Sequence, residues 1–274
     1  MLISDVHFPA TIQEILELLD GDPDMLLLAG GTCFIGKQSS RVIEFPKSVA
    51  SISRIQELRR TLRTENFIEF GACTTLTGLL SLTKGSLPDP LPRLTASIAN
   101  RGIRNIATLG GNLCDPEGFH DLWPVLACMD AQVELRSLSG SRWASVYHLK
   151  SEEGTPYFPR KTILARLRIP LYSSDFCFFR KFGSSPRPGS GACFVCLART
   201  SGQKVEDFRL AISGAKAFRL PDYEQNIIGR RRRSGQKEAQ ALALPYIEGF
   251  SGENWFDRTV FASLVEECFG RLFE

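Results

Sequence analysis

The sequence has no apolar run near the roughly 18 residues that a membrane-spanning helix needs, so no membrane span is expected. It also lacks a charge bias, since 33 basic against 30 acidic residues leave a net charge of only +3. Proteins that grip nucleic acid usually carry a stronger basic excess, and that class is set aside. Histidine is scarce: His7, His120 and His148 are too few and too scattered for a metal site, and no Ser-His-Asp order presents itself. The eight cysteines, at 33, 73, 114, 128, 177, 193, 196 and 268, have the spacing of neither a disulfide scaffold nor paired zinc knuckles. Met1–Asp5 lacks the basic flank and apolar stretch of a secretory leader. Free thiols in a reducing cytoplasm are therefore expected. What remains is ordinary globular material: 274 residues, 43% hydrophobic and 23% charged, enough for one large domain or two medium ones.

Alternating elements open the chain. Thr11-Ile12-Gln13-Glu14 has the form of a capping box, and Ile12, Ile15, Leu16 and Leu19 continue on one helical face to Gly21. Met25–Ala29 is a continuous apolar run, as expected of a strand buried on both faces, and it stops at Gly30-Gly31-Thr32. Strands are expected at Arg41–Phe45 and Phe67–Ala72, with helices after Thr74 and over Leu91–Asn100. Ile103–Asn112 reads as a structured loop. Asp121–Met129 reads as a helix with Pro124 in its first turn, where the missing N–H does no harm. Gln132–Ser137 and Thr162–Ile169 read as strands, and Pro170–Asp175 as a boundary. Three strands follow, at Phe176–Phe182, Ala192–Thr200 and Phe208–Ser213, before helices, the last with Val260, Leu264, Cys268 and Leu272 on one stripe. Strands first and helices later suggest a small α+β unit at this end.

Gly31–Gln38 nearly spells the phosphate loop of nucleoside triphosphatases, but Gln38 stands where Ser or Thr would hold magnesium. The pair Gly30-Gly31 and Gly110-Gly111 carries more information. Glycine permits positive φ and close backbone approach, so the pairs read either as two tight turns or as successive N–H groups that cradle a pyrophosphate. There is no G-x-G-x-x-G fingerprint, which argues against a Rossmann domain. Cys193-x-x-Cys196 lies in an apolar strand, where residues i and i+3 point to opposite faces, so a structural role is expected. Asp121 is read as a ligand or a helix N-cap, and Arg230–Arg233 as a solvated loop.

Leu27-Leu28-Ala29-Gly30-Gly31-Thr32, followed by Ile103-Arg104-Asn105-Ile106-Ala107-Thr108-Leu109-Gly110-Gly111-Asn112, resembles the FAD-binding medium subunits of molybdenum hydroxylases, the xanthine and carbon monoxide dehydrogenase flavoproteins. The resemblance continues through Asp130–Leu135, Phe179-Arg180-Lys181 and Arg209–Gly214. It implies an α+β protein. An FAD-binding domain of the vanillyl-alcohol-oxidase type would span residues 1–172, in two α/β subdomains (about 1–57 and 58–172). A small α+β domain of three antiparallel strands and helices would occupy 173–274. Residues 27 to 34 (Leu27, Leu28, Ala29, Gly30, Gly31, Thr32, Cys33, Phe34) and 108 to 112 (Thr108, Leu109, Gly110, Gly111, Asn112) would wrap the pyrophosphate through backbone N–H groups. Asp121 would meet ribityl or ribose hydroxyls, with Ile98, Leu164 and Lys181 near the flavin end. No side chain need act as acid or nucleophile, because the flavin carries the redox chemistry. Partner subunits would carry 2Fe-2S and molybdopterin, with NAD or another acceptor taking the electrons. Two departures stand out: Cys33 replaces the usual aspartate of the first loop, and Asp115 and Glu117 bring negative charge to the second. A flavin-free assembly homologue is the alternative, with a triphosphatase a distant third.

Overall fold

The structure is a computed structural model, described for residues 5–38, 45–46, 48–82, 89–116, 121–171, 173–182, 191–214, 216–251 and 255–273. Three sheets follow one another along the chain. In the first, β1 (Asp5–His7) leads through α1 (Ile12–Gly21) to β2 (Leu26–Leu28), then through α2 (Thr32–Gly36) to β3 (Ser48–Ser51). These strands are parallel, in the order β1-β3-β2. Thr11 caps α1 as its sequence requires, accepting from the Glu14 N–H, and Ile12, Ile15, Leu16 and Leu19 are its buried face.

The second sheet is antiparallel, in the order β4-β5-β8-β6-β7, built from β4 (Thr61–Arg63), β5 (Phe67–Gly71), β6 (Gln132–Ser137), β7 (Gly140–Ser145) and β8 (Ile163–Pro170). Between β5 and β6 the chain makes α3 (Leu76–Leu82), α4 (Leu91–Ala96), α5 (Arg101–Arg104), α6 (Leu109–Leu113) and α7 (Leu122–Cys128). The third sheet, β12-β11-β10-β9, is also antiparallel and consists of β9 (Phe176–Phe182), β10 (Ala192–Ser201), β11 (Lys204–Ser213) and β12 (Phe218–Arg219). It is followed by α8 (Pro221–Glu224), α9 (Gln236–Gly249) and α10 (Trp255–Phe273).

The burial of α7 explains its composition. All seven of its residues, Leu-Trp-Pro-Val-Leu-Ala-Cys, are buried, because the helix packs on both β10 and β11 while sharing a core with the five-stranded sheet. A helix with no solvent face is apolar all round. The same logic governs β10. Cys193, Val195 and Leu197 belong to the core that α7 enters, whereas Phe194, Cys196 and Ala198 join Phe208, Tyr246, Phe261 and Phe269 in a second, aromatic one. The two cysteines thus occupy opposite faces, and both are free and buried.

Several sequence expectations need adjustment. β2 is only half-buried rather than enclosed on both faces. Ile103–Asn112 is not a single loop; it takes in the end of α5 and most of α6. The helix from Leu91 ends at Ala96, because Ala99 adopts φ 45° and Asn100 then caps α5. The third sheet has four strands, not three, since β12 adds two residues to its edge. On α10 the buried stripe runs through Phe261, Val265, Cys268 and Leu272, with Val260 and Leu264 only partly covered. Of the strand expected at Arg41–Phe45, residues 41–44 lie outside the described residues.

Candidate functional site

The first glycine loop leaves β2 and turns into α2 at Gly31, whose φ of 68° is left-handed and suits glycine. Its neighbour Gly30 is required for a different reason. A Cβ there would lie 1.9 Å from the Ile106 carbonyl oxygen, so only glycine lets this loop touch the segment before Thr108. The two glycine motifs, distant in sequence, are in backbone contact. Every residue from Leu26 to Phe34 is half-buried. Among the described residues, the N–H groups of Gly30, Gly31, Thr32 and Phe34 have no hydrogen-bond acceptor. Adjacent unpaired N–H groups beside an apolar strand form a donor set suited to an anion with an apolar body.

The second loop is built otherwise. Thr108 caps α6, and its Oγ1 accepts from the Gly111 N–H at 3.1 Å. The N–H groups of Leu109 and Gly110 donate to the carbonyls of Thr74 and Ala72, and that of Asn112 to Thr108. All four of these amides serve the fold. Of the five amides that the resemblance assigned to the pyrophosphate in this loop, the four from Leu109 to Asn112 are thus committed to the fold. Gly110 is held tight, as a Cβ there would fall 2.9 Å from the Ala72 Cβ.

Asn112 and Asp121 exchange expected roles. Asp121 precedes α7 but makes no capping bond; the Asn112 Oδ1 accepts the Leu122 N–H at 3.2 Å instead. The Asp121 carboxylate pairs with Lys181 Nζ of β9 at 3.0 Å. Lys181 also donates to the Ser97 carbonyl at 3.3 Å, next to Ile98. The structure thus brings Asp121, Lys181 and the Ile98 segment together. Leu164 is placed differently, buried in β8 opposite Leu135, within the core that also holds Ile98.

Two residues with a part in this region, Asp115 and Lys37, are not among the site residues that the resemblance implied. Asp115, just past α6, is only 6% exposed. Its carboxylate accepts from Cys33 Sγ at 2.7 Å and from Lys37 Nζ at 2.6 Å. The negative charge that Asp115 brings to the second loop is thus turned inward and paired, while Glu117 lies outside the described residues. This arrangement also removes the triphosphatase reading. Thr32–Gly36 is helical rather than an extended loop, and Lys37 is engaged by a carboxylate. Burial pushes the neighbouring Cys114 thiol up to about 12, which keeps it protonated.

Residues 3–172 match the family described as the FAD binding domain in molybdopterin dehydrogenase. The chain belongs to that family. Over 94% of its length it is 25% identical to the glyceraldehyde dehydrogenase medium chain of Sulfolobus acidocaldarius, of which it covers 94%. It is 27% identical to the nicotine 6-hydroxylase medium subunit of Paenarthrobacter nicotinovorans, over 89% of this chain and 88% of that one. Among solved structures, a chain of carbon monoxide dehydrogenase from Hydrogenophaga pseudoflava superposes with a TM-score of 0.82. That match covers 100% of this chain and 99% of the other at 21% identity, a likeness of fold. The family places the protein among the oxidoreductase subunits of molybdopterin-dependent dehydrogenases. Among the described residues no helix is long and apolar enough to cross a membrane.

Proposed function

We propose that this chain is the FAD-carrying electron-transfer subunit of a molybdenum hydroxylase, within a cleft bordered by the two glycine loops. One observation carries the reading: the contact of Gly30 with Ile106, which sets unpaired first-loop N–H groups beside the Thr108–Asn112 turn. The N–H groups of Gly30, Gly31, Thr32 and Phe34 would hold the pyrophosphate. Half-buried Leu27, Leu28 and Ala29 would flank it, and Asp121, oriented by Lys181, would bind sugar or ribityl hydroxyls. Bound FAD would supply the redox chemistry, and the protein its binding and orientation. In domain terms, residues 1–172 would bind the cofactor and 173–274 would close one side.

The relatives' names mention glyceraldehyde, nicotine and carbon monoxide, three unlike substrates on one medium-chain fold. The substrate would accordingly be oxidised on a molybdopterin subunit, and a 2Fe-2S subunit would relay electrons through the flavin to NAD or another acceptor. The test is reconstitution of the purified full-length chain with FAD, then with the two partner subunits. Stoichiometric flavin uptake, and substrate-dependent flavin bleaching only with both partners present, is the expected result. A chain that takes up no FAD would favour the flavin-free assembly role, and substrate turnover by this chain alone would overturn the subunit reading.

A further inference from the structure

Cys33 and Lys37 lie four residues apart, at the start and just past the end of α2, so one face of that turn presents both. Both meet the buried Asp115, 82 and 78 residues further on. Lys37 Nζ lies 2.6 Å from each carboxylate oxygen, and Cys33 Sγ donates to Oδ2 at 2.7 Å. The first loop is thus pinned to the second at two places: at its start by the Gly30–Ile106 contact, and at its end by this carboxylate. Between the pins lie the unpaired N–H groups. Lys37 is the only basic residue between Leu26 and Gln38.

We propose that Asp115 is a positioning residue for the cofactor diphosphate: it clips α2 to the end of α6 and takes up the charge of Lys37, leaving the diphosphate to the loop amides. The inference rests on the FAD reading above. A buried ion pair that loses one partner leaves an uncompensated charge, so the clip should fail when either member is removed. The rival arrangement, with Lys37 as a direct phosphate ligand, makes the opposite prediction for Asp115. Freeing Lys37 from its counter-ion would then tighten binding.

The experiment titrates the full-length apoprotein with FAD, ADP and riboflavin, following flavin fluorescence or heat, with the thermal midpoint of each apo variant measured in parallel. For Asp115→Asn and for Lys37→Met, FAD and ADP affinities should each fall about tenfold or more, with riboflavin unchanged. The double variant should be no worse than the weaker single, because the two residues act as one unit. Cys33→Ala should fall less, and Cys33→Ser, which keeps a donor, should recover most of the loss. Tighter FAD binding by Asp115→Asn overturns the proposal, as does an additive, roughly hundredfold loss in the double variant. Equal losses for riboflavin and ADP would do the same, marking a merely structural role. If Asp115→Asn fails to fold, the Cys33→Ala and Cys33→Ser pair decides alone, and equal affinities in the two refute the clip. Wild-type protein that binds neither FAD nor ADP overturns the cofactor reading itself; wild-type binding with unaltered Asp115→Asn overturns only the clip.

Discussion

Gly30→Ala tests the juxtaposition of the two loops most sharply. The added Cβ would sit 1.9 Å from the Ile106 oxygen and 2.7 Å from its carbonyl carbon. Ordinary contact begins near 3.4 Å, so the loops must part by about 1.5 Å. Both partners are backbone, and no rotamer change can relieve the clash. Overpacking typically costs about 1–3 kcal/mol. A rigid backbone clash belongs at or beyond the upper end, near 3 kcal/mol, which in a chain of this size lowers the melting midpoint by roughly 6–12 °C.

Two other glycine substitutions calibrate the result. At Gly31 the nearest atoms to a new Cβ are 3.8 and 3.9 Å away, so alanine meets only the left-handed φ, a cost of about 1–2 kcal/mol. At Gly111 the Cβ would meet Thr108 Oγ1 at 2.9 Å, and the threonine can rotate away at the expense of its cap, about 1 kcal/mol. Melting of the apoprotein and flavin bound per chain after reconstitution give the two readings. Gly30→Ala should be the worst of the three in both. If it melts and binds FAD as well as Gly31→Ala, the loops do not meet as described.

Asp121→Ala should weaken FAD binding by about 1.5–3 kcal/mol if the carboxylate holds a hydroxyl. Its partly solvated pairing with Lys181 contributes about 1 kcal/mol, so apo melting should move little. Arg209→Met removes the Asp130 pair at 2.6 Å, the Asp207 pair at 3.1 Å and a bond to the Cys128 carbonyl, and urea unfolding should show a loss of about 1.5–3 kcal/mol. Burial would raise the Glu134 carboxyl, but bonds from Arg166 and Arg136 outweigh it and hold the group below its ordinary 4.5. Its stabilisation is therefore complete above the unfolded value and lost as pH falls through the lower folded one. Glu134→Gln should flatten the decline in melting midpoint below about pH 4; an unchanged acid limb would remove Glu134 from the account.

Elements stabilised by their own residues were readable in advance. β6 and β9 occupy the expected spans, and the Thr11 cap and α1 face follow directly from local spacing. β7 is different. Its Gly-Ser-Arg-Trp-Ala-Ser sequence carries no apolar alternation, and it is held by tertiary contacts, with Trp143 lying 4.1 and 5.5 Å from the Arg168 and Arg166 guanidiniums of β8. The site divides in the same way. Its glycines announce themselves as points where the backbone must turn or approach another segment closely. The Cys33–Asp115–Lys37 cluster does not, because Cys33 and Asp115 are separated by 82 positions and nothing local couples them. The allocation of amides was equally hidden, as it depends on Thr74 and Ala72 accepting from the second loop.

The placement of the candidate site also depends on α7, which is held at both ends by residues from elsewhere. At its start, Asn112 of the second loop takes the Leu122 N–H, and Asp121 reaches Lys181 of β9. At its end, the carbonyls of Ala127 and Cys128 accept from Arg219 and Arg209 of β12 and β11. Cations at a helix C-terminus oppose its negative pole and satisfy its last carbonyls. Asp130, at φ 50°, bridges the same two arginines. Arg219 is buried with Glu224, which accepts from it and from the Leu210 N–H. A shift of the four-stranded sheet would therefore pull on both ends of α7 and, through Asn112, on the second glycine loop. If the proposed FAD site is right, the third sheet would share in holding it, through Lys181 and through these anchors of α7. An Arg209 variant should consequently lower flavin affinity as well as stability, despite lying at the far end of the helix from Asp121.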